Sequence, residues 1–225
     1  MVTTANRLAD ILTTVAAICA LTLATLEFRD RWRSTRIRAQ PVGTERTIRN
    51  WSELVRDGHR IGPPTARLTV LEFGDFECPA CYAFEHMLRI ERQAHPAEIT
   101  LVFRHWPLAY HRLAYPTARA SECASDQGYF NQFHDTVYAH QDSLGILSNE
   151  ELARRSGVPD LRAFQRCMQN SQPVPRIEKD IAVARGLGSR GTPAIIINGR
   201  AFDYIPDTGR LEELLKSAGE ARELP

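Results

Sequence analysis

The chain has 225 residues, of which 43% are apolar and 24% charged, the balance of a globular protein with room for one sizeable domain plus an appendage. A formal net charge of +1 gives no footing for nucleic acid or an acidic surface as partner. The five cysteines inform by position: Cys19 lies in an apolar N-terminal stretch, Cys78 and Cys81 form a C-x-x-C, and Cys123 and Cys167 stand apart.

Ile11 to Leu26 is an uncharged run rich in Ala, Leu, Ile, Val and Thr. Extended to about residues 8–28, it approaches the roughly 20 residues of a bilayer crossing, with Asp10 and Glu27 at the interfaces. Residues 1–28 are therefore expected to be a membrane anchor, with a cleaved signal peptide as the alternative. The flanking charges conflict with export, because Arg7 precedes the run and Arg29, Arg31, Arg33, Arg36 and Arg38 follow it. Residues 29–66 read as a linker with one short helix, punctuated by Pro41, Gly43 and Gly62-Pro63-Pro64, with Trp51 to Val55 as its one apolar cluster.

Arg67 to Phe73 is a β-branched run bounded by turn residues and reads as a buried strand. A helix over Cys81 to Ala94 carries Phe84, Met87 and Leu88 on one face, and Ile99 to Phe103 is the next strand. That order favours a parallel βαβ unit. A helical stretch follows, with Phe130, Phe133, His134, Val137 and Tyr138 on one face, a capping box at Ser148 and Glu151, and helices over Asp160 to Met168 and Pro175 to Leu187. Ala194 to Ile197, Asn198-Gly199 and Arg200 to Phe202 spell a hairpin with a type I′ turn. Leu211, Leu214, Leu215 and Ala218 stripe a final helix. The expected fold class is α/β: a thioredoxin fold (βαβ plus ββα) over residues 67–220, with a helical insertion at about 109–188.

By itself the C-x-x-C is compatible with zinc, redox catalysis or a plain disulfide. Zinc needs four ligands, usually from a second C-x-x-C or paired His. Neither is present, and His105 and His111 lack ligand-like spacing, so no metal is expected. Redox chemistry fits the context, because a strand ending near Phe73 and a helix starting near Cys78 put that cysteine at a helix N-terminus. There the free N–H groups and the dipole favour thiolate. Cys78 is then the exposed nucleophile and Cys81 the buried resolving thiol. Pro79 suits the first helical turn, followed by Ala80. Asp75 and Glu77 flank the motif as candidates for tuning Cys78 or moving a proton at Cys81. Gly191-Thr192-Pro193, opening a strand, makes Pro193 a candidate cis-proline that would leave the Thr192 backbone free to pair with substrate; an ordinary trans turn is the alternative. His134 lies on an apolar helix face and reads as a satisfied core histidine.

Taken together, Phe73-Gly74-Asp75-Phe76-Glu77-Cys78-Pro79-Ala80-Cys81, Phe103-Arg104-His105-Trp106-Pro107-Leu108, Cys123-Ala124 with Gln127-Gly128 and His134-Asp135, and Gly191-Thr192-Pro193 with Ile197-Asn198-Gly199 resemble the DsbA-like thioredoxin family. The resemblance runs from about Arg67 to Ser217. It implies disulfide exchange with exported proteins, most readily as a dithiol oxidase, with reductase, isomerase or a non-catalytic binding module as alternatives. It also implies a cis Thr192–Pro193 bond, a second, structural disulfide between Cys123 and Cys167, an extracytoplasmic site, a membrane partner of the DsbB or VKOR type, and no cofactor beyond the Cys78–Cys81 disulfide. DsbA itself carries a His between its cysteines where this chain has Pro79-Ala80, which implies a milder couple.

Overall fold

A computed structural model describes residues 43–223. The expected anchor at 1–28 and the first part of the expected linker lie outside these residues. Among the described residues no helix is long and apolar enough to cross a membrane.

The elements, in chain order, are β1 (Glu45–Thr47), α1 (Trp51–Arg56), β2 (His59–Ile61), β3 (Leu68–Gly74), α2 (Pro79–Ala94), β4 (Ile99–His105), α3 (Ala114–Ser125), α4 (Phe130–Ala139), a short 3₁₀ turn (Gln141–Ser143), α5 (Asn149–Arg155), α6 (Leu161–Met168), α7 (Pro175–Gly186), β5 (Ala194–Ile197), β6 (Arg200–Phe202) and α8 (Thr208–Glu223). The strands form one sheet in the order β1-β6-β5-β3-β4-β2. β3 and β4 run parallel, as the α2 crossover requires, and the other pairings are antiparallel. This is the expected thioredoxin-like α/β arrangement, with α3 to α7 inserted between β4 and β5.

The central strand β3 is buried on both faces, which explains its near-continuous apolar run. Leu68 and Val70 face a core shared with Phe84 and Leu88 of α2 and with α3 to α6 and α8. Leu71 and Phe73 face the opposite core, where Trp51 and Leu54 of α1 and Ala184 of α7 pack. The period-two alternation therefore places one polar residue, Glu72, on the α2 side.

The linker reading of 29–66 needs correction over residues 43–66. β1 pairs with β6, Glu45 opposite Phe202, and β2 pairs with β4, His59 opposite Phe103, so both belong to the sheet. Each is a three-residue edge strand, and β1 is exposed throughout. β1 gains ladder hydrogen bonds without burying an apolar face, and β2 buries only Ile61, so no hydrophobic alternation marks either in the sequence. At the β5–β6 turn Asn198 and Gly199 have φ of 45° and 83°. A Cβ on Gly199 would lie 2.6 Å from the Trp51 ring, so this glycine admits α1 to the sheet as well as making the turn.

Several local expectations hold in detail. Ser148 Oγ accepts the Glu151 backbone N–H at 3.1 Å, while the Glu151 carboxylate turns to Arg154 and Arg155 instead of closing the box. Cys123 on α3 is bonded to Cys167 on α6, 44 positions away. Closing a loop of that size stabilises the fold by about 4 kcal/mol in the chain-entropy account. The double Cys123→Ala/Cys167→Ala chain is therefore expected to lose about 3–4 kcal/mol in urea unfolding of the oxidised protein; an unchanged midpoint would remove the bridge from the account of stability.

Candidate active site

Cys78 is the N-cap of α2 in extended conformation (φ −75°, ψ 120°), with Pro79 in the first turn. Both cysteines of the motif are free thiols; Cys78 is 6% exposed and Cys81 is fully buried. The Thr192–Pro193 bond is cis, and it turns the Thr192 carbonyl toward the motif, 3.5 Å from Cys78 Sγ. The proximity follows from the sheet: Phe73 at the end of β3 pairs with Ala194 at the start of β5, so the residues before Ala194 face those after Phe73.

The two thiols are pushed in opposite directions. Cys78 is held down to about 5, chiefly by a hydrogen bond from the Cys81 thiol, with Thr192 and the backbone N–H groups of Cys81 and Ala80 adding to it against partial burial. Burial pushes Cys81 well up, and the Cys78 sulfur and Glu72 add to the rise. At neutral pH Cys78 is the thiolate and Cys81 the thiol that bonds to it. The stabilisation arises without a donor side chain between the cysteines.

Asp75 and Glu77 are occupied elsewhere. The Asp75 carboxylate accepts the backbone N–H of Glu77 and of Leu108, and lies 2.8 Å from His111 Nδ1. Only its backbone reaches the motif: the Asp75 N–H lies 3.4 Å from Cys81 Sγ, and its carbonyl accepts the Cys78 N–H at 3.1 Å. The Glu77 carboxylate accepts Leu113 N–H at 2.6 Å. These acids fasten the loops around the motif, and none of the bonds they make reaches a sulfur through the carboxylate. Gln141 does similar work from the insertion, donating from Nε2 to the carbonyls of Phe76 and Cys78 at 2.9 and 3.0 Å.

The acid that faces Cys81 is Glu72. It is fully buried, and both carboxyl oxygens lack a hydrogen-bond partner. Burial first, then the neighbouring Glu85 carboxyl, holds its proton on well above the usual carboxylate range. Glu85 is held the other way, below its ordinary value despite burial, by His134, whose Nε2 lies 3.5 Å away. His134 in turn is raised to about 9 against its own burial by Glu85 and Asp135. The expected core histidine is therefore an imidazolium between two carboxylates. Glu72 went unread because it occupies one position of an apolar strand; its signal is a lone acid inside a run where every other side chain enters a core.

A cleft of about 550 Å³ opens beside the Thr192–Pro193 turn, lined among others by Arg46, Arg190, Thr192, Pro193, Tyr204 and Ile205. Its polar rim and its position against the turn suit an extended peptide.

Two measurements check these assignments. Alkylation of reduced protein is expected to proceed first at Cys78, with a rate that climbs through about pH 5 and then levels, while Cys81 stays unreactive at neutral pH; equal, slow labelling of both would refute the activated thiolate. His134 has a folded pKa of about 9, above the 6.5 of a free histidine, so its stabilisation is complete below about pH 6.5 and lost as pH rises through about 9. Urea midpoints at pH 6.5 and 9.5 are expected to differ more in the wild type than in His134→Gln, and equal differences would exclude the charged imidazole.

A family model described as thioredoxin matches residues 55–217. A thioredoxin-like oxidoreductase from Silicibacter pomeroyi superposes with a TM-score of 0.60 at 25% identity, covering 75% of this chain and 94% of that one. Pseudomonas aeruginosa DsbA2 does so at 0.54 and 27%, covering 73% and 94%. Oxidised BdbD of Bacillus subtilis, at 19% identity, shares the fold with a TM-score of 0.64 over 74% of this chain and 95% of its own. Among curated proteins, a sodium/proton antiporter NhaA 3 of Salinispora tropica is 36% identical over 143 residues, which are 63% of this chain and 22% of that protein. NhaA 1 of Mycobacterium sp. strain KMS is 31% identical over 207 residues, 90% of this chain and 33% of that protein. The chain thus spans about a fifth to a third of the length of these curated relatives. A family match that takes in both cysteines of the motif, the helical insertion and the Thr192–Pro193 turn leaves one assignment: the chain belongs to the thioredoxin family, among its DsbA-like members.

Proposed function

We propose that the protein is a dithiol oxidase that passes the Cys78–Cys81 disulfide to cysteine pairs of exported proteins. One observation carries the reading: Cys78, held down to about 5 and 3.5 Å from the carbonyl of Thr192, which lines the peptide-sized cleft, is backed by a buried Cys81 whose thiol is held up. A strongly stabilised thiolate favours the reduced form of the pair, and a pair that prefers to be reduced is an oxidant toward ordinary dithiols.

The reaction runs in two exchanges. A substrate thiolate attacks Cys78 Sγ of the disulfide, a mixed disulfide forms, and Cys81 leaves with the bonding electron pair. Cys81 binds protons tightly, so it needs one, and the protonated Glu72 carboxyl beside it is the nearest source. The second substrate thiolate then attacks the substrate sulfur of the mixed disulfide and expels Cys78. Leaving is easy because Cys78 is stable as thiolate. The substrate loses two electrons and gains a disulfide, while the pair is reduced to a Cys78 thiolate and a Cys81 thiol. During the exchange the Thr192 backbone, exposed by the cis turn, pairs with the extended substrate beside its cysteine.

Turnover requires re-oxidation, for which a membrane oxidant of the DsbB or VKOR kind is the chemical match. We place the domain outside the cytoplasm, tethered through residues 1–28. Supporting this are the uncharged run from Ile11 to Leu26 and the Cys123–Cys167 bridge, which suits an oxidising compartment.

Equilibration with glutathione is expected to give a Cys78–Cys81 potential more oxidising than about −200 mV. A value below about −300 mV would make the bridge static and the domain a binding module, and intermediate values would point to a reductase or isomerase. In cells, Cys81→Ala should accumulate mixed disulfides between Cys78 and exported proteins; a lane without such adducts would exclude the substrate assignment.

A further inference from the structure

On the α2 side of the sheet, three side chains from three separate elements meet away from the cysteines. His59 begins β2 and His105 ends β4. The register sets His59 opposite Phe103, so His105, two positions further on, lies diagonally across the pair on the same face. Glu122, from α3, packs over both. Its Oε1 lies 2.5 Å from His59 Nε2 and 2.8 Å from His105 Nε2, and one ligand atom from each of the three residues falls within 4.8 Å of the others.

We propose that His59, His105 and Glu122 form a binding site for a divalent cation of the zinc class, independent of the redox cysteines. Two imidazoles and a carboxylate are the donor set such ions take, with a fourth position left for water. Metal–ligand bonds of about 2.0–2.2 Å in a tetrahedron set neighbouring donors about 3.4 Å apart, so loading needs Glu122 Oε1 to part from each imidazole nitrogen by less than about 1 Å. Arg176 Nε, 3.2 Å from Glu122 Oε2, holds the other oxygen and leaves Oε1 turned to the imidazoles.

The surroundings suit a defined site. The His59 ring stacks on Phe130 with centroids 3.6 Å apart, which fixes its plane. Glu122 Oε1, 2.8 Å from His105 Nε2, holds the ring as the Nε2–H tautomer, so a cation taking Nε2 displaces that proton, and His105 Nδ1 is buried without a hydrogen-bond partner. The His59 and Glu122 side chains retain 10% and 13% exposure, enough for an ion to enter and for a water to complete the shell. A bound cation would tie edge strand β2, β4 and the insertion together at one point, and would stabilise the folded state by mass action. The ring of Phe76, two residues before Cys78, lies 6.1 Å from that of His105, so the site borders the aromatic cluster behind the motif.

The test uses the full chain, stripped with chelator and oxidised so that the Cys78–Cys81 and Cys123–Cys167 disulfides are closed and those thiolates are unavailable. Titration with zinc alone is expected to show one ion per chain at micromolar affinity or tighter, together with a raised melting temperature. His59→Gln and Glu122→Gln, each verified as folded by circular dichroism without metal, should each bind at least tenfold more weakly. Cobalt(II) in the same protein should give visible d–d bands without a thiolate charge-transfer band in the near ultraviolet. Absence of saturable binding to the wild type overturns the proposal, as does wild-type affinity in both variants or a thiolate band. The cysteine couple is closed throughout, so failure here leaves the disulfide-exchange reading untouched, and a low redox potential for Cys78–Cys81 leaves this site untouched.

Discussion

The antiparallel pairing of β3 with β5, Phe73 opposite Ala194 and Val70 opposite Ile197, is the constraint on which the site depends. The chain leaves β3 into the C-x-x-C and enters β5 from the Thr192–Pro193 turn, so the ladder brings together two segments more than a hundred residues apart and sets the Thr192 carbonyl against Cys78 Sγ. The same strand, parallel to β4 on its other side, fixes where α2 crosses and hence where its N-terminus points. Its alternation drives Leu71 and Phe73 into one core and Val70 and Glu72 into the other. One strand thus positions the nucleophile, the substrate-facing turn and the buried acid.

Electrostatics at the motif follow from that geometry. The sulfurs differ because one sits at a helix terminus with donors around it, whereas the other is sealed inside, where charge is costly. The Pro79-Ala80 pair supplies no donor side chain. The lowering of Cys78 comes instead from Cys81, Thr192 and the helix backbone, parts inherent to the fold. Behind Cys81 the buried charges are compensated in sequence: Glu72 keeps its proton, Glu85 loses its own to the field of His134, and Asp135 completes the pairing at the surface. Replacing His134 alone would leave the Glu85 carboxylate uncompensated in the core, and replacing Glu85 would strip the imidazolium of its buried partner.

The insertion contributes more than bulk. Its helices cover the α2 side of the sheet, the Cys123–Cys167 bridge joins α3 to α6, and Gln141 reaches back to hold the carbonyls of Phe76 and Cys78. Arg104 and Asp180 do the equivalent on the opposite face, a fully buried pair linking β4 to α7. The strand–helix frame of a thioredoxin fold is thereby clamped to the inserted helices by a few polar bonds, while the disulfide ties two of those helices to each other.

By itself, the sequence determined whatever depends on local period and on turn chemistry: the two core strands, read at 67–73 and 99–103 and found at 68–74 and 99–105, the 3.6-residue stripe of α2, the Asn198-Gly199 hairpin, and the cysteine at a strand-to-helix junction. It also carried the resemblance that pointed to the cis turn and the second disulfide. The edge strands β1 and β2 were illegible because runs of three residues, polar throughout in β1 and with Ile61 as the single apolar residue of β2, are too short to show an alternation, and so residues 43–66 read as linker with one short helix. The roles of Asp75, Glu77 and Glu72 were exchanged for a similar reason. Nearness in sequence favoured the first two, but only the pleat of β3 and the burial around Cys81 decide which carboxyl faces the sulfur. His59, His105 and Glu122 meet through strand register and helix packing across more than sixty residues, a distance over which no spacing rule operates.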